Sequence, residues 1–149
     1  MNNSFSVKIE PHNSKNLSVS LNDILTLIED RYELFWGLLM IEATGDLGDN
    51  KSMVDFESEI NETNNIMVLK WNDLKALSDR FKTINEIILI GSKYSKVIRR
   101  YSNEEEMFSL CDYSIEMIDS SYWLIHSTQE DFLKYLKKQL PGCGEILKS

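Results

Sequence analysis

Apolar positions fall along this chain in short segments of distinct period. Phe5, Val7 and Ile9 alternate with polar residues, the period of a half-buried strand. After the polar loop PHNSKN, Ser20 stands at a helix N-cap, Asp23 at the capping-box position, and Val19 and Ile24 as a hydrophobic staple. Leu21, Ile24, Leu25, Leu27 and Ile28 continue at helical spacing and predict a helix to about Tyr32. The run YELFWGLLMIEAT is apolar nearly throughout and predicts a strand buried on both faces, ended by a turn over 45–50.

The next segment, MVDFESEI, alternates. Val54, Phe56 and Ile60 fall on one side, and Asp55, Glu57 and Glu59 on the other, which predicts an amphipathic strand. NIMVLKW is its expected partner, joined through NETN. Trp71, Leu74, Leu77 and Phe81 form a helical stripe leading into the β-branched strand NEIILIGS, and residues 95–101 are expected to pair back on it through Gly91–Ser92. Ser102 and Glu105 read as a capping box for a helix to about Leu110. Residues 113–119 and 121–127 predict a hairpin about Ser120. Ser127 with Glu130, or Thr128 with Asp131, then caps a last helix whose buried face carries Phe132, Leu133, Leu136 and Leu140. Lys137 and Lys138 suit that helix's C-terminal dipole, and Pro141–Gly142 stops it. Hairpins mixed with helices predict a single α+β domain over residues 1–149: a mostly antiparallel sheet with helices packed on one side, a folded body of about 5–140 and a tail over 141–149.

Composition narrows the class without naming a chemistry. The chain is 42% hydrophobic and 27% charged, an ordinary globular balance. Cys111 and Cys143 lack CxxC spacing and have no histidine at ligand spacing, so both are expected to be free thiols, as in a reducing compartment. MNNSFSVKIE has no basic region followed by an apolar one, and LFWGLLMI is too short to span a bilayer, so a cytoplasmic location is expected. The formal net charge of −8 is concentrated. Residues 42–62 hold Glu42, Asp46, Asp49, Asp55, Glu57, Glu59 and Glu62 against Lys51 alone. Residues 104–119 hold Glu104, Glu105, Glu106, Asp112, Glu116 and Asp119 with no basic residue. Lys93, Lys96, Arg99 and Arg100 form a local basic stretch that is better read as ion-pair partners than as a phosphate track, so nucleic acid and anionic membranes are not expected partners.

Catalytic patterns are weak. His126 shares a strand face with Tyr122 and Leu124, and no spacing supplies a nucleophile or an orienting carboxylate, so it reads as a sheet histidine. His12 lies in a polar loop. Alternate carboxylates on a strand at Asp55, Glu57 and Glu59 would stand roughly 6.6 Å apart, a spacing seen in inverting glycosidases, but the wet face of an amphipathic strand predicts the same alternation. DLGDNKSMVDFE does not match a calcium loop, and GCG at 142–144 follows a helix end rather than opening one. No enzyme activity, cofactor or structural metal is expected. Trp36, Trp71 and Trp123 each sit on an apolar stripe and read as core.

The segments WNDLKALSDRF, NEIILIGS and YSIEMIDSSYWLIHSTQEDFLKYLKKQ resemble the small acidic immunity proteins of bacterial contact-dependent and other polymorphic toxin systems, where a hairpin with a central tryptophan followed by a short terminal helix recurs. The resemblance covers roughly residues 66–140. It implies a cytoplasmic, non-enzymatic protein that binds and neutralises one cognate toxin domain, often a nuclease. It carries over no interface residue, so the interface is argued from charge: Asp55, Glu57 and Glu59 on one strand face, and Glu104, Glu105 and Glu106 in the first turn of a capped helix. Two other classes stay open. One is a small enzyme or ligand-binding domain with a pocket near Trp36, Trp71 or His126; the other is an acidic mimic of nucleic acid.

Overall fold

Backbone alternation becomes one antiparallel sheet in a computed structural model that describes residues 4–10 and 19–148. The PHNSKN loop with His12 lies outside the described residues. The strands are β1 (Phe5–Ile9), β2 (Phe35–Gly45), β3 (Met67–Leu69), β4 (Phe81–Ser92), β5 (Tyr113–Ile118), β6 (Tyr122–Ser127) and β7 (Leu147–Lys148). Their order across the sheet is β3-β2-β4-β5-β6-β1-β7, every pairing antiparallel. The helices are α1 (Leu21–Leu25), α2 (Met53–Asn61), α3 (Trp71–Ser78), α4 (Glu104–Leu110) and α5 (Glu130–Gln139). The fold is α+β, with helices packed against a mostly antiparallel sheet. Among the described residues no helix is long and apolar enough to cross a membrane.

Both faces of the sheet are packed. Val7, Leu89, Ile115, Trp123 and Ile125 point into the main core with Ile24, Phe56, Leu74 and Leu133 from α1, α2, α3 and α5. The alternate positions Ile88 and Ile90, with Leu39, meet Met107 and Phe108 of α4 and Ile98 on the opposite face. The helices are therefore not confined to one side, because α4 covers part of the second face. Trp123 is fully buried, and its indole Nε1–H donates to the Val19 carbonyl at 2.9 Å.

Trp36, Gly91 and Tyr113 are register neighbours across β2, β4 and β5. Gly91 has no side chain there, so the Trp36 ring lies across β4 and stacks on Tyr113, with ring centroids 6.3 Å apart. A Cβ on Gly91 would stand 2.8 Å from the Trp36 ring.

Several elements differ from the sequence expectation, each for a local reason. MVDFESEI is helix α2, not a strand. Ser52 caps it by accepting from the Asp55 N–H at 3.3 Å, and Phe56 and Ile60 are buried at i, i+4 while Val54 is 71% exposed. β3 accordingly pairs with β2. α1 stops at Leu25, where the Thr26 hydroxyl donates back to the Asn22 carbonyl at 2.8 Å. The chain then tightens to i, i+3 bonds, which keep Leu25 and Ile28 on one side without a helix. Phe81 opens β4 rather than closing α3. Residues 95–97 form a 3-10 turn instead of a return strand.

The hairpin about Ser120 forms as expected: Asp119 and Ser120 take left-handed backbone at φ 49° and 59°, and Ser121 N–H closes on the Ile118 carbonyl at 2.8 Å. The last two helix starts each shift by a residue or more. Asn103 rather than Ser102 caps α4. Gln129 precedes α5 with no side-chain cap bond, while the Ser127 hydroxyl accepts from Gln129 N–H and donates to the Asp112 carbonyl. Residues 142–148 join the sheet instead of trailing from it. Gly142 accepts from Glu10 N–H, Gly144 donates to Lys8, and β7 pairs with β1.

Gly91→Ala should cost about 1–3 kcal/mol by overpacking against the Trp36 ring, read from urea melts. A melt unchanged from the parent would mean the ring has room to move.

Candidate functional site

Helical geometry redistributes the carboxylates expected to form one row. On α2, Asp55 and Glu59 lie four residues apart on one exposed side, whereas Glu57 turns toward the sheet. β3 pairs with β2 only at Trp36–Leu38, leaving the rest of that β2 edge without a strand. Helix α2 fills the gap with side chains: Asn61 accepts from Ile41 N–H at 2.9 Å and donates to the Ile41 carbonyl at 2.8 Å, and Glu57 accepts from Ala43 N–H at 2.9 Å. Glu57 is thus an edge cap, as an unpaired strand edge requires. Glu59 stands 3.4 Å from Lys51. Asp55 has no ion-pair partner among the described residues.

Glu104, Glu105 and Glu106 do share the first turn of α4, all exposed, beyond the Asn103 cap that accepts from Glu105 and Glu106 N–H. Arg99 pairs with Glu106 at 2.9 Å. Three of the four residues of the basic stretch have partners within the chain: Lys93 stands 3.9 Å from Asp30, Arg99 pairs with Glu106, and Arg100 donates to the carbonyls of Leu39, Ile60 and Asn65. Helix α4 lies on the second face and α2 closes the β2 edge of the main core, so the six expected carboxylates form two separate groups with Glu57 withdrawn from both.

His126 is 7% exposed and stacked on Phe108 of α4, with ring centroids 3.6 Å apart and planes 6° from parallel. Burial holds its pKa down at about 4. On the same sheet face, burial pushes the Glu116 carboxyl up to about 7, and the charge of Glu104 adds to the shift. Trp36 and Trp71 are also buried. The clefts beside α5, between α2 and α3, and beside the start of α1 are lined by other side chains than Trp36, Trp71 and His126.

The cleft beside α5 has a volume of about 340 Å³. Tyr113, Phe132 and Tyr135 wall it, with Glu29, Asp30 and Asp131 around them. Tyr113 and Phe132 meet edge to face at 5.1 Å, and the Tyr113 hydroxyl donates to Asp30 at 3.0 Å. Burial raises the Tyr113 phenol pKa, and the negative charges of Asp30, Asp112 and Glu29 raise it further. Sequence reasoning missed this group. Glu29–Asp30 and Asp131 lie in segments joined only through the sheet, and no spacing signals that approach.

Among the described residues no group of three or more histidine, cysteine, aspartate or glutamate side chains converges as metal ligands would. No protein-family model, curated protein or solved structure matches this chain.

Two outcomes follow from these environments. Glu57→Ala should lower stability by about 1–3 kcal/mol by leaving the Ala43 N–H without its charged acceptor, whereas Glu59→Ala should stay within about 0.5 kcal/mol in the same melts. Equal effects would remove the edge-cap role of Glu57.

The second outcome concerns pH. Between 4.5, the ordinary glutamate value, and about 7, unfolded Glu116 is charged while the folded group keeps its proton, so its contribution makes stability fall as pH rises. His126 acts oppositely between about 4 and 6.5, where the unfolded ring is charged and the folded ring neutral. Glu116→Gln should therefore make the melting temperature climb more steeply from pH 4.5 to 6.5 than in the parent. Superimposable profiles would show that Glu116 ionises normally in the fold.

Proposed function

We propose that this protein is an immunity protein that binds and neutralises a cognate toxin domain, a basic nuclease, through its acidic surface and without chemistry of its own. The observation that carries this reading is the exposed first turn of α4, where Glu104 and Glu105 have no ion-pair partner among the described residues. A nuclease holds polyphosphate in a basic cleft. Carboxylates presented from a rigid helix oppose that charge, steer the encounter and compete with the substrate. Asp55 and Glu59 on α2 offer a second, separate group. The same acids in the first turn of α4 also favour its helix dipole.

The test uses the toxin domain encoded by an adjoining reading frame, assayed on nucleic acid with and without this protein. Stoichiometric inhibition is expected. Glu104→Lys combined with Glu105→Lys should slow association by about tenfold or more at low salt and flatten its salt dependence. Asp55→Lys combined with Glu59→Lys should have the smaller effect. Full nuclease activity in the presence of excess protein would overturn the reading, and unchanged association in both variants would remove the acidic helices from the interface.

A further inference from the structure

Charge and ring chemistry in the cleft beside α5 differ from those of the rest of the surface. Elsewhere this chain supplies its own cations to its aromatic rings: Lys8 over Tyr122, Arg31 over Tyr32, Lys70 over Phe35 and Arg99 over Tyr101, at 4.0–5.0 Å. Among the described residues no lysine or arginine lies over Tyr113, Phe132 or Tyr135. Tyr135 is 43% exposed, and Phe132 with Tyr113 closes the wall behind it. Glu29 and Asp131 have no ion-pair partner among the described residues, and Asp30 is shared between Lys93 at 3.9 Å and the Tyr113 hydroxyl at 3.0 Å. The cavity, about 340 Å³, has room for an arginine side chain together with hydrating water and lies in the size range of pre-formed ligand sites.

We propose that this cleft is a socket for one arginine side chain of a basic protein partner, its guanidinium laid on the Tyr135 ring and its N–H groups directed at Glu29 and Asp131. Each property of the cleft matches that group. An aromatic face attracts a cation held over it, and a planar guanidinium stacks where a lysine ammonium cannot. Carboxylates in its lining, Glu29 and Asp131, can take up the fork of N–H donors. A neutral ligand would leave those carboxylates unmatched, and an anion would be repelled by them. The socket belongs to different elements from the acids of α2 and α4, and it does not depend on the partner being a toxin.

The test is a titration followed by NMR at low salt, using the capped peptide Ala-Ala-Arg-Ala-Ala and its counterpart with citrulline, an uncharged near-isostere of arginine. The arginine peptide should shift the signals of Tyr135, Phe132 and Gln129 saturably, and the citrulline peptide should not. Tyr135→Ala should weaken binding by about twofold to fivefold, the range of an exposed cation–π contact. Glu29→Gln combined with Asp131→Asn should weaken it by about fivefold or more by removing both charged acceptors. All three positions are exposed, and unchanged melting temperatures should confirm that the variants fold. Equal binding of both peptides, shifts scattered over α2 and α4 without saturation, or variants that bind like the parent would each overturn the socket. A failure here leaves the toxin assay untouched, since that assay reads inhibition and the α4 charges.

Discussion

The ring of Trp36 can lie across β4 only because residue 91 is glycine, and much of the molecule is built on that close approach. It brings the indole of β2 against Tyr113 of β5, so the two strands that flank β4 are joined through aromatic contact as well as through the backbone ladder. Tyr113 passes the contact on. Its ring edge meets Phe132 of α5, and its hydroxyl reaches Asp30 in the turn after α1. One row of side chains therefore sets the sheet's centre, the seat of α5 and the wall of the acidic cleft. Since core packing is close to crystalline in density, displacement at Gly91 is transmitted along this row instead of being absorbed.

A second constraint concerns the sheet edge. β3 is only three residues long, so much of β2 would present unpaired backbone groups beside it. Helix α2 supplies the missing partners from Asn61 and Glu57, and Arg100 takes the Leu39 carbonyl. This use of polar side chains blunts an edge that would otherwise invite pairing with another chain. It also divides the acidic residues by role. Glu57 is bound to backbone, Glu59 and Glu106 are paired with Lys51 and Arg99, and Asp55, Glu104 and Glu105 have no ion-pair partner among the described residues. Counting negative residues thus overstates the charge available for binding.

The second face of the sheet is more polar than the first. Ser114 and His126 face each other across β5 and β6 and are buried, with the histidine ring closed under Phe108. That closure fits His126 to packing α4 onto the sheet, and the first turn of α4, with Glu104 and Glu105, is exposed to solvent. The proposed toxin contact and the proposed arginine socket are then two recognition elements on one rigid scaffold: a steering charge on α4 and a receiving cleft beside α5.

Most strands, the β5–β6 hairpin and the last helix could be read from the chain, because alternation, continuous apolar or β-branched runs, and the spacing of Phe132, Leu133 and Leu136 depend on local geometry. Ser20 with Asp23 gave the start of α1 for the same reason. α2 escaped because Val54, Phe56 and Ile60 satisfy alternation by coincidence, while its helical signals, Ser52 capping Asp55 and the spacing of Phe56 and Ile60, lie in the same eight or nine residues. Periodicity over so short a window does not separate the two states, and packing decides. The charge of the surface was legible, and so was the burial of the three tryptophans. The grouping of carboxylates was not: Glu57 was withdrawn by an edge that exists only because β3 ends early, and Glu29 and Asp131, far apart in the chain, line one cleft. Local residue order determines which segments alternate or cap. Long-range pairing determines which side chains meet, because a contact between distant segments leaves no period in either one.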